Sequence, residues 1–430
     1  MEISRTLLRK IQGEYVEIRY SSVVHHDVRT QLGDGIKEFS QKGVAARVID
    51  RGRLKTACSA RPEAVETAIR SAKWTDITAY TPVDPVQHYE NHPELLELPI
   101  KDVKDCLGFF AERGLCEARL ESLKLYDHVV TNLGTDVCQG ISKLLIRIFF
   151  TPVQGITVVY SFGYPGDDVC KGLETLAETD LRRFSDCSSV PSGQYNVVLS
   201  PQVTGMIFHE IAHAFEGSMP ELKLPPSISL SDNPEAERLG NYTYDSEGCR
   251  ASQTVLVKMG AVQGCLATVL NPGNRTPTGN GRASGFDAQP IPRQSNLEVV
   301  SEKTAQLTEE ELLEMVTRGV YIAQVGEGSV FPGGITYFKN ALCFSVEKGE
   351  IRRPLRNIHF GGNLIEMVKS IQRMGTNYKV EPGVCLKGYQ RQYITTMAPS
   401  CLIQGMYLSS YTSSKSPKRI MQPTNSSTSS

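Results

Sequence analysis

The chain has 430 residues, 40% hydrophobic and 22% charged, the make-up of a soluble globular protein with room for two ordinary cores. Its 46 basic and 47 acidic residues nearly cancel, which leaves no electrostatic footprint for nucleic acid or an anionic membrane. Eleven cysteines without any C-x-x-C pair argue against a disulfide framework and for buried thiols in a cytoplasmic protein. The opening MEISRTLLRKIQGEY turns polar too early for a signal sequence, and no apolar run nears the roughly 18 residues a membrane helix needs.

In chain order, a short amphipathic helix near Ile3–Ile11 precedes a strand at Tyr15–Val24, where Val16, Ile18 and Tyr20 share one face. The Gly33-Asp34-Gly35 turn and Gly43 punctuate further strands ending at Val44–Ile49. Pro62–Trp74 reads as a helix with Val65, Ala68, Ile69 and Ala72 on one stripe. The pattern then recurs: a helix at Ile100–Arg113, stopped by Gly114, and strands at Cys116–Lys124, Tyr126–Asn132, Ser142–Phe150 and Ile156–Phe162. A further helix is expected at Asp167–Phe184. Sheets followed by helices indicate an α+β fold, an N-terminal α/β domain over residues 1–190.

Tyr195–Leu199 is a short apolar strand, followed by Ser200 and Pro201 as N-cap and first residue of a helix running to about Glu216, where Gly217 ends it. Short β-like runs follow at Ala251–Met259, Gly264–Leu270, Ile335–Glu347 and Met397–Leu408, interrupted by helices at Thr308–Gln324 and Leu364–Met374. A β-rich C-terminal domain over residues 191–412, carrying this helix, and a disordered tail over 413–430 are expected.

The helix beginning at Pro201 carries His209-Glu210-Ile211-Ala212-His213. Histidines four apart are turned about 40° from each other and rise about 6 Å, so both imidazoles reach one ion. Val203, Ile207, Ile211 and Ala214 lie on the opposite face, so the histidines do not belong to the core stripe. Glu210 sits about 100° round from His209, beside the metal, where a carboxylate can take a proton from an attacking water. Zinc needs a third protein ligand and an open position. Glu216, Asp245, Glu247, His359 and Cys385 are all candidates, and Lys387 beside Cys385 would favour its thiolate.

Taken together, these residues resemble the TldD/PmbA family, once described as modulators of DNA gyrase and now regarded as peptidases. The likeness runs along nearly the whole chain: Tyr15–Tyr20, Gly43–Val48, the metal helix within Tyr195–Ser218, Tyr244–Gly248, Pro277–Arg282 (PTGNGR) with Pro290–Asn296 (PIPRQSN), Gly361–Thr376 and Pro382–Gln390. The resemblance implies one zinc ion held by His209, His213 and Cys385, with Glu210 as general base. It implies peptide substrates, unfolded or short, and a dimer, with itself or with a metal-free PmbA/TldE-like subunit. Arg282 and Arg293 are candidate ligands for a peptide carboxylate or carbonyl, and Asn280 and Asn296 for an extended peptide backbone. Gly326, Gly328, Gly333 and Gly334 would let a substrate strand come close.

One departure stands out. The family motif is H-E-x-x-x-H, whereas two residues separate Glu210 from His213 here, a spacing that suits a regular helix. Two further readings follow: a non-catalytic peptide-binding subunit, or an amidase acting on a natural-product or peptide-precursor intermediate.

Overall fold

The computed structural model describes residues 2–30, 36–111, 115–153, 156–169, 171–173, 187–273, 276–302, 307–331 and 335–410. The Gly33-Asp34-Gly35 turn, Gly114, most of the helix expected at Asp167–Phe184, the Gly333-Gly334 pair and the C-terminal tail lie outside these residues.

The chain is α+β. Its N-terminal half builds one eight-stranded sheet around the long strands Tyr15–Thr30, Lys37–Asp50, Leu115–Thr131 and Asp136–Val153. The pairings are antiparallel apart from the short Tyr89–Glu90 strand beside Asp136–Val153. Alternation fixes the two faces. On one face Val16, Ile18, Val44, Ala46 and Val48 pack against Leu7 of the Glu2–Leu8 helix and Val65 and Ile69 of Pro62–Ser71. On the other, Glu17, Arg19, Arg47 and Asp127 are buried although polar, because this face meets the C-terminal half. There Arg47 Nη2 donates to Glu247 at 2.7 Å, Arg19 Nη2 to the Ala288 carbonyl at 2.6 Å, and Ser246 Oγ to Asp127 at 2.9 Å.

The C-terminal half contains two larger sheets. Arg318–Gln324, Gly193–Leu199, Cys401–Ser410, Glu350–Asn363 and Ile335–Glu347 pair in that order, and the last pairs back with the first, closing a small barrel. Six strands form the second sheet, ending with Asn296–Ser301, Gln390–Ala398 and the edge strand Lys379–Lys387. The Pro201–Ala212 helix lies between them. Val203, Ile207, Phe208 and Ile211 join a core that also takes Phe338 and Phe360 from the barrel and Leu230, Leu297 and Val299 from the sheet. Helix and sheet approach closely at Gly205, where an added Cβ would fall 2.7 Å from Thr396 Oγ1.

Several elements differ from the sequence reading. Leu115–Thr131 is one continuous strand. The helix expected at Thr308–Gln324 stops after Glu309–Glu314, started by a Thr308/Glu311 capping box; Arg318–Gln324 is then a strand. Gly319 explains the switch, since its missing side chain lets the backbone lie against Asn196 O, 2.2 Å from where a Cβ would stand. Leu364–Lys369 is likewise helical only until Ile371–Met374 becomes strand. Gly264–Leu270 forms no strand and contributes a single bridge, Glu216 to Leu266. Among the described residues no helix is long and apolar enough to cross a membrane.

Candidate metal centre

Ser200 caps the central helix, its Oγ accepting from Val203 N at 3.3 Å, and Pro201 supplies the first turn. The regular helix ends at Ala212, one turn short of the expected Glu216. His213–Phe215 continue as a 3₁₀ turn, and Gly217 takes the left-handed φ of +86° that turns the chain away. His209 is 5% exposed and His213 half-buried, with ring centroids 4.8 Å apart at 74°.

Cys385 arrives from the edge strand Lys379–Lys387 and places Sγ 3.3 Å from His213 Nε2. One ligand atom from each of His209, His213 and Cys385 lies within 4.8 Å of the others. Burial pushes the Cys385 thiol up, but hydrogen bonds and charge from His209 and His213 outweigh it and bring the group down to about 5. The thiolate partners are therefore the histidines. Lys387 turns instead to Glu216.

Glu216 is not one of the three converging groups; it stands behind His213. Its Oε2 lies 2.9 Å from His213 Nδ1 and also pairs with Lys387 Nζ, while Oε1 accepts from Gln294 N at 3.3 Å. Burial would raise this carboxyl, but the His213 hydrogen bond and the Lys387 charge hold it at about 2. His213 is pulled down by burial and pushed back up, to about 10, by Cys385 and Glu216. Glu210 lies on the neighbouring side of the helix, its carboxyl raised chiefly by burial and opposed by the charges of His209 and His213. Gly328 passes beside it: a Cβ there would stand 3.5 Å from Glu210 Oε1.

The other candidates lie elsewhere. Asp245 accepts from the main-chain N–H groups of Glu247, Cys249 and Gly281, and Glu247 from Arg47 and Val269 N, so both are buried braces. His359 stacks on Tyr337 at 5.8 Å on the Glu350–Asn363 strand. The four residues expected to touch peptide are all buried and turned inward. Arg282 donates to the carbonyls of Gln294 and Tyr393, and Arg293 to those of Cys385 and Gln390, each at 3.0 Å for Arg293. Asn280 Nδ2 donates to Asp232 at 2.8 Å, and Asn296 donates to Asn233 O and Ala236 O. Gln294, which the sequence reading passed over, donates to the His209 carbonyl at 3.1 Å. Its only sequence signal was its place between Arg293 and Asn296 in the PIPRQSN block.

Two imidazoles and a thiolate make a three-residue donor set of the kind catalytic zinc sites use, the fourth position there being taken by water or substrate. His209 Nδ1 is buried without a hydrogen-bond partner, and His213 is oriented from behind by a carboxylate, as metal-binding histidines are. The residues present fit zinc.

Residues 192–410 match the family described as PmbA/TldA metallopeptidase C-terminal domain. The chain belongs to the PmbA/TldD metallopeptidase family. A protein of Methanothermobacter thermautotrophicus named metalloprotease is 30% identical over 276 residues, 57% of this chain and 59% of the relative. A Saccharolobus solfataricus protein named zinc metalloprotease TldD homolog is 25% identical over 57% of this chain and 58% of its own length. The chain thus spans little more than half the length of the first curated relatives it matches. A solved Thermotoga maritima protein, described as a candidate modulator of a DNA gyrase, shares this chain's fold. It aligns with a TM-score of 0.74 at 18% identity, over 95% of this chain and 99% of that one.

Proposed function

We propose that this chain is a zinc-dependent peptidase in which His209, His213 and Cys385 hold one zinc ion and Glu210 is the general base. The observation that carries this reading is the convergence of the three donor groups within 4.8 Å, from a helix and a strand far apart in sequence. A zinc ion bound there supplies Lewis acidity, polarising the scissile carbonyl and acidifying a water. Glu210 then accepts the proton of the attacking water at its carboxylate and delivers it to the leaving amine nitrogen. The buried setting raises its pKa and so makes the carboxylate a stronger base for that exchange.

The substrate class is a short or unfolded peptide. Glu327–Phe331 is an edge strand of its sheet, and its Gly328 lies beside Glu210; Lys379–Lys387, which carries Cys385, is an edge strand of the other. An extended peptide added to either edge is held by main-chain hydrogen bonds with little side-chain selectivity. Asn280, Arg282, Arg293 and Asn296 then act as braces of the loops around the centre. The active form is a dimer, with a second copy or with a PmbA/TldE-like subunit.

The test is zinc analysis with peptide turnover for the native chain, Glu210→Gln and Cys385→Ala. Expected are about one zinc per chain, retained zinc with abolished turnover in Glu210→Gln, and lost zinc in Cys385→Ala. Full turnover by Glu210→Gln overturns the mechanism.

A further inference from the structure

A second convergence of metal-type side chains lies in the N-terminal sheet. The Leu115–Thr131 and Asp136–Val153 strands form a hairpin in which His128 stands directly opposite Cys138. The Tyr89–Glu90 strand adds on the far side of Asp136–Val153, with Glu90 opposite Cys138. His128, Cys138 and Glu90 therefore form one row across three neighbouring strands, all on one face. Asp136, two residues before Cys138, falls on the same face and places Oδ1 2.9 Å from His128 Nε2. Ligand atoms of His128, Asp136 and Cys138 lie within 4.8 Å of one another.

This face is the one covered by the N-terminal helix; Arg47 and Asp127, on the opposite face, look toward the C-terminal half. The cluster is thus separate from the centre around His209. His128 and Cys138 are wholly buried, whereas Asp136 and Glu90 reach the rim. Arg5, a half-buried side chain, takes Asp136 Oδ2 and leaves Oδ1 facing His128. Tyr126 hydrogen-bonds the Cys138 sulfur, and His88 and His92 lie against Glu90. His128 Nδ1 has no hydrogen-bond partner, an unsatisfied buried group of the kind an ion or water accounts for.

We propose that His128, Asp136 and Cys138, whose ligand atoms already converge, form a second metal site for a borderline-soft divalent ion of the zinc class, with Glu90 turning in from its His92 contact as the fourth ligand when the ion binds. One thiol, one imidazole and two carboxylates exclude calcium and magnesium, which take oxygen ligands alone. Rigid strands hold the donors in place, and the site needs no open position. Its role is structural: it fastens the segment around Glu90 to the central hairpin and, through Arg5 on Asp136, the N-terminal helix with it.

Cobalt(II) titration of the full chain tests this, because a thiolate ligand gives cobalt a charge-transfer band. The Cys385→Ser protein, lacking the thiol of the other centre, is expected to take up one equivalent with that band, and to unfold at higher temperature when loaded. Adding Cys138→Ser removes the band. Glu90→Gln, a change at the rim that leaves the fold intact, weakens cobalt binding by roughly 10-fold or more. Absence of a thiolate band in folded Cys385→Ser protein overturns the proposal, as does a band indifferent to both Cys138→Ser and Glu90→Gln. If Cys385→Ser does not fold, the native chain against Glu90→Gln decides the same point by the loss of one cobalt affinity class.

Discussion

Glu216 Oε2 lies 2.9 Å from His213 Nδ1, which points the opposite ring nitrogen at Cys385. A carboxylate in this position fixes the tautomer and the rotation of a ligating imidazole. Glu216→Gln keeps the size and loses the charge. Zinc affinity, measured by competition with a chromogenic chelator, is expected to fall roughly 10- to 100-fold. Unchanged affinity would show that His213 is not a ligand held from behind.

Arg293 separates two accounts of the PIPRQSN block. It is 1% exposed and ties the carbonyls of Cys385 and Gln390 to the helix, where its Nε lies 3.7 Å from Glu216. Arg293→Met leaves those carbonyls without their donor, while Glu216 keeps His213, Lys387 and Gln294 N. Urea unfolding is expected to show a loss of about 1–3 kcal/mol for each buried carbonyl left without a donor. A peptide-binding role makes the opposite forecast: unchanged stability and a raised KM.

Much of the centre could be read from local pattern. Ser200-Pro201, the stripe of Val203, Ile207 and Ile211 and the two histidines are all properties of one helix, and helices carry their signals within a few residues. Cys385 is different. It meets His213 across 172 positions, and only the family resemblance separated it from Glu216, Asp245, Glu247 and His359. Polarity misled for Arg282, Arg293, Asn280 and Asn296: loops rich in Gly, Pro and Asn look exposed, but here they are packed beneath the Lys379–Ala398 hairpin, where their side chains satisfy buried main chain. Thr308–Gln324 reads as one long helix because Val320 and Ala323 continue the spacing of Leu312 and Val316, while Val320 and Ile322 equally obey a strand's alternation. Neither period alone could place that boundary.

Glu381 gives a pH dependence set by the fold. Burial raises its carboxyl from 4.5 to about 7, against hydrogen bonds from Gln202 and Ser161. Gln202 Nε2 donates to it at 2.9 Å from the first turn of the central helix. The folded state therefore favours the neutral acid. That contribution is fully present below about pH 4.5 and is lost as pH rises through about 7. Glu381→Gln copies the neutral form. It is expected to match the native chain at pH ~4.5 and to exceed it by about 1–2 kcal/mol at pH ~8, a partly exposed side chain realising less than the full linkage. Equal stability at both pH values would remove the buried-acid account.

The spacing of the motif can be tested directly. In this chain the helix is regular to Ala212 and His213 opens the 3₁₀ turn that seats it against Cys385 and Glu216. Inserting one alanine between Ile211 and Ala212 restores the three-residue interval of the H-E-x-x-x-H pattern. On this helix it also turns His213 by about 100° and moves it about 1.5 Å along the axis. The Nε2–Sγ approach and the Glu216 contact cannot both survive that rotation. Zinc affinity is expected to fall at least roughly 10-fold, and thermal unfolding to shift down because Phe215, wholly buried one turn later, is displaced with it. If the inserted chain binds zinc as tightly as the native one, then the two-residue interval is not what positions His213, and the 3₁₀ turn is free to rewind.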